Sequence, residues 1–271
     1  MAAKVKKKDF ICNKDTVDGI SAMVGKAFSL KADIRVMKEQ KDLVLKGVTE
    51  KLGDLSGISE YTERNLGNGI YITIRPPYTA DRFEEKVYAK YLEDMGLMDE
   101  AFKKGIYNEK TEIGTTLRFA PDWVEKTALS FTSFINYIAD AELPDLTHTY
   151  LDLHQEIKKL EAEYKKTIDK ILEEALEKLK EDLFQTRFVY DDGDIKGTLS
   201  FFLSEKKTVD IERAAEMLPS EMSEEEKAKI LKSGKIVCER PVVNIVTEET
   251  IIKRREKAGS SVQEEIEEPS L

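Results

Sequence analysis

Two long runs of apolar positions at helical spacing dominate the chain. From Val17 they recur at Ile20, Val24, Ala27, Leu30, Ile34, Met37, Val44, Val48 and Leu52, mostly three or four apart, and Gly53 ends the run. Asp15 or Thr16 can cap its start. The second run opens near Thr147, just after Pro144. Leu146, Tyr150, Leu153, Ile157, Leu160 and Tyr164 alternate steps of four and three, and the stripe then widens through Ile168, Leu172, Leu176, Leu179 and Leu183. Each run predicts a helix of about 38 residues, roughly 57 Å long. Burying about ten stripe residues is worth on the order of 15–30 kcal/mol before entropy is subtracted. A small sheet does not shield so long a stripe, so each helix needs a helical mate.

Period-two segments follow each helix. "ISEYTER" and "GIYITIR" flank Asn65 to Asn68, and "FQTRFVY" and "KGTLSFFL" flank "DDGD"; both read as hairpins, with glycine supplying the tight turn. Short helices are predicted at Ala80 to Met95 and at Val209 to Leu218, resuming at Ser223 to Lys232. A last strand closes each unit, Glu112 to Phe119 and Pro241 to Thr247. One offset of about 128 residues aligns Gly69 with Gly197, Phe83 with Ile211 and Leu117 with Ile245, so the order helix, hairpin, helix, strand reads as a tandem duplication. Between the units, Pro121 suits a first helical turn, and Trp123, Ala128, Phe131, Phe134, Ile135 and Ile138 form an aromatic-rich helical stripe.

The predicted fold class is α+β. It has two related units, each a long helix plus a small antiparallel sheet, with the long helices paired in coiled-coil fashion. The first unit takes 1–120, a connecting helix 121–144, the second unit 145–252, and a charged, disordered tail 253–271.

Composition narrows the function. The chain has 271 residues, 35% of them charged, and a net charge of −10, which suits long solvated helices and argues against a generally basic nucleic-acid coat protein. The charge is uneven. Residues 1–52 hold twelve bases against seven acids, and the last twelve hold four glutamates and no base. Residues 16–52 carry +2 and 147–183 carry −3, which makes the two long helices plausible mates, within one chain or in a homodimer. No apolar run reaches the ~18 residues of a membrane span, and the basic start lacks the apolar core of a secretory signal. Cys12 and Cys238 stand far apart without a CxxC, which implies reduced thiols and a cytoplasmic chain.

Catalytic signals are missing from the sequence. His148 and His154, six apart on one helix, lie out of phase for joint metal ligation, and no nucleophile elbow, zinc-protease motif or glycine-rich phosphate loop occurs. Asp191, Asp192 and Asp194 are explained by their turn rather than by Mg²⁺. The expectation is a protein without catalytic residues, metal, cofactor or small-molecule substrate. Better-placed chemistry lies in the bases. Arg75 ends a strand, Lys103 and Lys104 precede Gly105, and Lys206 and Lys207 occupy the second unit's counterpart of the Pro76-Pro77 bend. Such side chains position phosphates without reading sequence.

The first unit resembles the phage host-nuclease inhibitor family called Gam, on a strand ending "IRPP", the "MGLMDEAFKK" segment and "NEK" before the closing strand, with Arg75, Pro76, Pro77, Asn108, Glu109 and Lys110 at the matching positions. The second unit, with "GTLSFFLSEKKTVDIE" and "AKILKSGKIVCERPVVNIV", is similar in layout to related siphophage helix-plus-hairpin proteins. The resemblance implies a phage protein in the host cytoplasm that binds double-stranded DNA ends and blocks exonucleases, or occupies a nuclease. This chain is longer, doubled and more acidic than that family's pattern. The alternative from another class is a chaperone-like assembly protein with a prefoldin-type outline.

Overall fold

The computed structural model describes residues 7–13, 19–121, 123 and 131–264. The Asp15/Thr16 cap, the middle of the connecting helix at 124–130 and the tail from 265 lie outside them. The protein is mixed α and β, with two long helices and several small sheets.

The first long helix, α1 (Gly19–Leu52), and the second, α5 (Leu143–Leu179), run antiparallel and pack along their length. Lys26 pairs with Glu163 at 2.7 Å near one end, while Gly47 approaches Leu146 near the other. Pro144 sits in the first turn of α5, where no amide donor is lost. Between them in sequence, α4 (Thr132–Asp140) sets Ile138 against α1 at Gly47, where an added Cβ would collide with the Ile138 side chain.

Both hairpins form. In β2 (Thr62–Gly67) and β3 (Ile70–Arg75) the reversal uses positive φ at Gly67, Asn68 and Gly69. Between β6 (Thr186–Asp191) and β7 (Lys196–Val209) the turn is held by Asp192, whose Oδ1 accepts from the amides of Asp194 and Ile195. Asp191 accepts from the Gly193 amide and pairs with Lys196 at 3.0 Å, so local bonds engage the carboxylates of Asp191 and Asp192.

The strands do not close within their own halves. The strand after the first hairpin, β5 (Tyr107–Phe119), pairs with β7, and the last strand, β9 (Val242–Thr247), pairs with β3. The expected closing partners are thus exchanged between the two halves. The reason is continuity: β7 runs 14 residues, which offers β5 a long unbroken ladder that the shorter β3 lacks. Pro76-Pro77 breaks the corresponding run in the first half, and the chain resumes as β4 (Tyr78–Arg82), paired with β8 (Gly234–Cys238). Strand therefore replaces the predicted helix over 80–82, and α2 (Glu85–Asp94) starts later, with α3 (Met98–Lys103) behind it. Likewise β7 extends to Val209. A 3₁₀ turn at Ala214–Met217 stands where a helix to Leu218 is predicted, and α6 (Glu224–Leu231) follows it.

Two further elements depart from expectation. β1 (Lys8–Asn13) lies parallel to β6 and completes the sheet β1-β6-β7-β5. Residues 253–264, expected in a tail, continue α7 (Glu248–Glu264), which Ile251 anchors by burial and Lys253–Glu249 supports at 2.6 Å.

Three apolar clusters form among the described residues. One joins the start of α1 and the end of α5 to the four-stranded sheet around Phe28, Phe188 and Phe201. Phe28 stacks on Tyr190 at 5.2 Å, and Gly197 makes room for it: a Cβ there would collide with both Phe28 and the Arg118 carbonyl. The second joins the other helix ends to β3 and β9. The third packs α2 and α3 onto the 3₁₀ turn, and the Tyr88 hydroxyl donates to the Ala214 carbonyl at 2.8 Å.

Candidate nucleic-acid interface

The apolar face that α1 lays on the sheet changes character partway along. Ile20, Val24, Ala27 and Phe28 are fully buried on it. At the same helical phase the next residues are Lys31, Arg35, Lys38 and Asp42. The change falls where β5 ends: Lys31, Arg35 and Lys38 line a cavity of about 520 Å³ with Leu117, Arg118 and Phe119. An adjoining cavity of about 450 Å³ is walled by Lys31, Thr115–Leu117 and, from α5, Tyr164 and Lys165. The two share Lys31 and Leu117. Together they form a groove between the helix pair and β5.

Aromatic rings accompany these cations. Lys31 Nζ lies 5.1 Å from the Tyr164 ring centroid, Lys41 Nζ 5.4 Å from Tyr150, and the Arg35 guanidinium 5.8 Å from Trp123. Trp123 itself stacks on Phe119 at 4.1 Å. Burial pushes the Tyr150 and Tyr164 hydroxyls upward. Three acids share the region. Glu39 pairs with Arg35 at 3.0 Å, and Asp42 also lines the larger cavity. Glu161 pairs with Lys38 at 2.6 Å, which holds its carboxyl below the usual range. Lys31, Lys41, Arg118 and Lys165 have no carboxylate within ion-pair distance among the described residues, so positive charge prevails locally in a chain of net −10.

His154 sits on the same side of α5, parallel to Tyr150 at 6.4 Å. Burial is the main cause that lowers its pKa, followed by Lys158 and Lys41, with Glu161 opposing. His148 is exposed on the first turns of the helix.

The bases singled out from the sequence lie elsewhere. Arg75 projects from the end of β3 over Tyr78 at 5.4 Å. Lys103 is exposed at the end of α3, and Lys104 pairs with Glu100 at 2.8 Å. On the β5–β7 ribbon, Lys206 meets Glu112 at 3.8 Å and Lys207 meets Glu109 at 2.6 Å, which raises the Lys207 pKa. Lys103, Lys104, Lys206 and Lys207 thus cluster toward one end of that ribbon, whereas Arg75 belongs to another sheet. Of the positions that carry the family resemblance, Asn108 caps the Gly105 carbonyl at 2.9 Å, and Glu109 and Lys110 take part in cross-ribbon or along-strand ion pairs.

The stripe through Leu30, Ile34 and Met37 draws attention away from this groove in the sequence. A signal for it exists nonetheless: the spacing 20-24-27-31-35-38 keeps one face while turning from apolar to cationic. No protein-family model matches the chain, nor does any curated protein or solved structure. Among the described residues no helix is long and apolar enough to cross a membrane.

Proposed function

We propose that this is a non-enzymatic DNA-binding protein of phage type that shields the ends of double-stranded DNA from a nuclease. The observation that carries the reading is the cationic, aromatic-flanked groove at Lys31, Arg35, Lys38 and Lys165 in an otherwise acidic chain. Polyanions bind such grooves by releasing counterions, and the surrounding negative surface discourages binding elsewhere. The ion pairs at Lys104, Lys206 and Lys207 are exposed surface pairs that solvent screens, so a phosphate can compete for those lysines as secondary contacts.

On the same reading, the chain is two related units with coiled-coil-like paired helices, and the exchanged strands carry the relationship. An offset of 128 takes the pair Ile70–Thr247 to positions 198 and 119, and Phe119 pairs with Gly197, one residue away. One chain then supplies the pseudo-twofold arrangement that two copies of a simpler protein reach by dimerising.

The test is exonuclease digestion of linear duplex with and without protein, with closed-circular duplex as competitor. Protection of the linear DNA that circular DNA does not relieve is the expected result. Unimpeded digestion at low salt, with no retention of either DNA, refutes it.

A second reading rests on one observation. Ile113 and Leu203 face each other across the ribbon and are 37% and 57% exposed. An apolar patch of this kind suits the chaperone-like alternative, in which the ribbon holds clients. Suppressed aggregation of an unfolded client, absent in a Leu203→Asp variant, would favour it.

A further inference from the structure

We infer that the groove between α1, α5 and β5 is a single-strand site, which takes the unpaired end of a DNA strand and stacks its bases on Trp123, Tyr150 and Tyr164. This rests on the DNA-binding reading above and narrows it to a class of ligand. Three observations carry it.

The first is the pairing of cations with rings. Duplex DNA offers a protein mainly phosphates and groove edges, because its bases are stacked on one another. A site for duplex alone has no use for aromatic faces. A single strand presents free base faces, and grooves that bind it combine a cationic track with aromatic platforms. Here Lys31, Lys41 and Arg35 each lie against a ring, at 5.1, 5.4 and 5.8 Å.

The second is size. Cavities of about 520 and 450 Å³ are in the range that encloses one compact organic group each. The larger lies between α1 and β5, and α5 adds a third wall to the smaller, which suits a strand better than the breadth of a double helix. Lys31 to Lys41 covers about 15 Å along α1, the reach of a few nucleotides.

The third is the absence of neutralisation where it matters. Lys31, Lys165 and Arg118, which line the walls, lack carboxylate partners among the described residues, whereas Lys104, Lys206 and Lys207 on the more open surfaces have them. Glu39 and Asp42 line the same groove, and Arg35 and Lys38 are paired with Glu39 and Glu161, which keeps its net charge modest. That favours ligands which add stacking to charge over purely electrostatic ones.

The experiment uses the full chain and fluorescein-labelled dT15, which forms no duplex, read by anisotropy at low salt. A blunt duplex of the same length is the comparison. Trp123 is the only tryptophan, so its emission reports on the groove independently of the label. We expect dT15 to bind more tightly than the duplex and to quench Trp123. A Lys31→Ala/Lys165→Ala variant should weaken dT15 binding by roughly tenfold and reduce the salt slope by about 0.7 for each phosphate that is no longer neutralised. Lys86→Ala/Lys229→Ala, which removes exposed lysines of α2 and α6 outside the groove, should leave dT15 affinity within about twofold, and circular dichroism establishes that both variants fold. Preference for duplex, unchanged dT15 binding in the Lys31/Lys165 variant, or binding without a change in Trp123 emission overturns the inference. If the protein shields linear duplex yet ignores dT15, the single-strand site fails while the end-protection reading stands. If it binds dT15 in the groove but leaves duplex ends open to exonuclease, end protection fails and the site stands.

Discussion

His154 shows how one residue reports on its surroundings. Its ring lies parallel to Tyr150, and burial, with Lys158 and Lys41 behind it, keeps its folded pKa below the ordinary 6.5. The unfolded chain therefore takes up this proton first as pH falls. Stability from His154 is complete above about 6.5 and is lost as pH drops through the lower folded value. Urea denaturation between pH 7.5 and 5 should show a decline that His154→Gln flattens, and a slope unchanged by that substitution would reject the assignment. Bound polyanion should oppose the same effect, because phosphate near Lys41 and Lys158 removes part of the repulsion that holds the ring neutral. The identity of His154 is readable from the sequence. The repulsive pair is not, because Lys41 belongs to another helix.

Elements that carry their own punctuation are the easiest to read. α6 begins at Ser223, whose hydroxyl oxygen accepts from the Glu226 amide at 3.3 Å while the Glu226 carboxylate accepts from the Ser223 amide at 3.1 Å. This reciprocal box fixes the start of an eight-residue helix that buries no residue fully, so the cap matters more here than in α1 or α5. Ser223→Ala should cost about 1 kcal/mol and speed amide exchange through 224–231 while α5 stays protected. Equal loss of protection throughout the chain would mean that α6 melts only with the whole fold. Elements without punctuation mislead. Ala80, Phe83 and Val87 suit a helical period across β4, yet its backbone finds a partner in β8. β7 keeps extending for the same reason, since β5 offers a ladder as far as Tyr107. Tertiary hydrogen bonding overrides a weak local preference.

At the scale of the whole molecule, the exchange of β5 and β9 ties the two halves together. The four-stranded sheet needs β5 from the first half, and the three-stranded sheet needs β9 from the second. The third cluster is shared as well, with Tyr88 and Leu92 on one side and Ala214 and Met217 on the other. Fragments 1–123 and 131–271, expressed separately, should each lack a cooperative thermal transition. Mixed in equal amounts, they should recover one. A fragment that melts cooperatively alone would mean that each half closes a sheet by itself.

The sequence alone determined the two long helices and both hairpins, because helical periodicity, alternation and Asp-Gly or Asn-Gly turns act within a few residues. It also held the phase at which α1 turns from apolar to cationic. Tertiary structure decided what faces that phase and which strands pair. β1 lies against β6 across 178 residues of chain, from Lys8 to Thr186, and no local pattern names such a partner. A strand satisfies its amides equally well on any edge of matching length, so the choice falls to packing. The four-stranded sheet brings β5 to the helix pair, and only there does Lys31 meet Tyr164 on one side and Leu117 on the other.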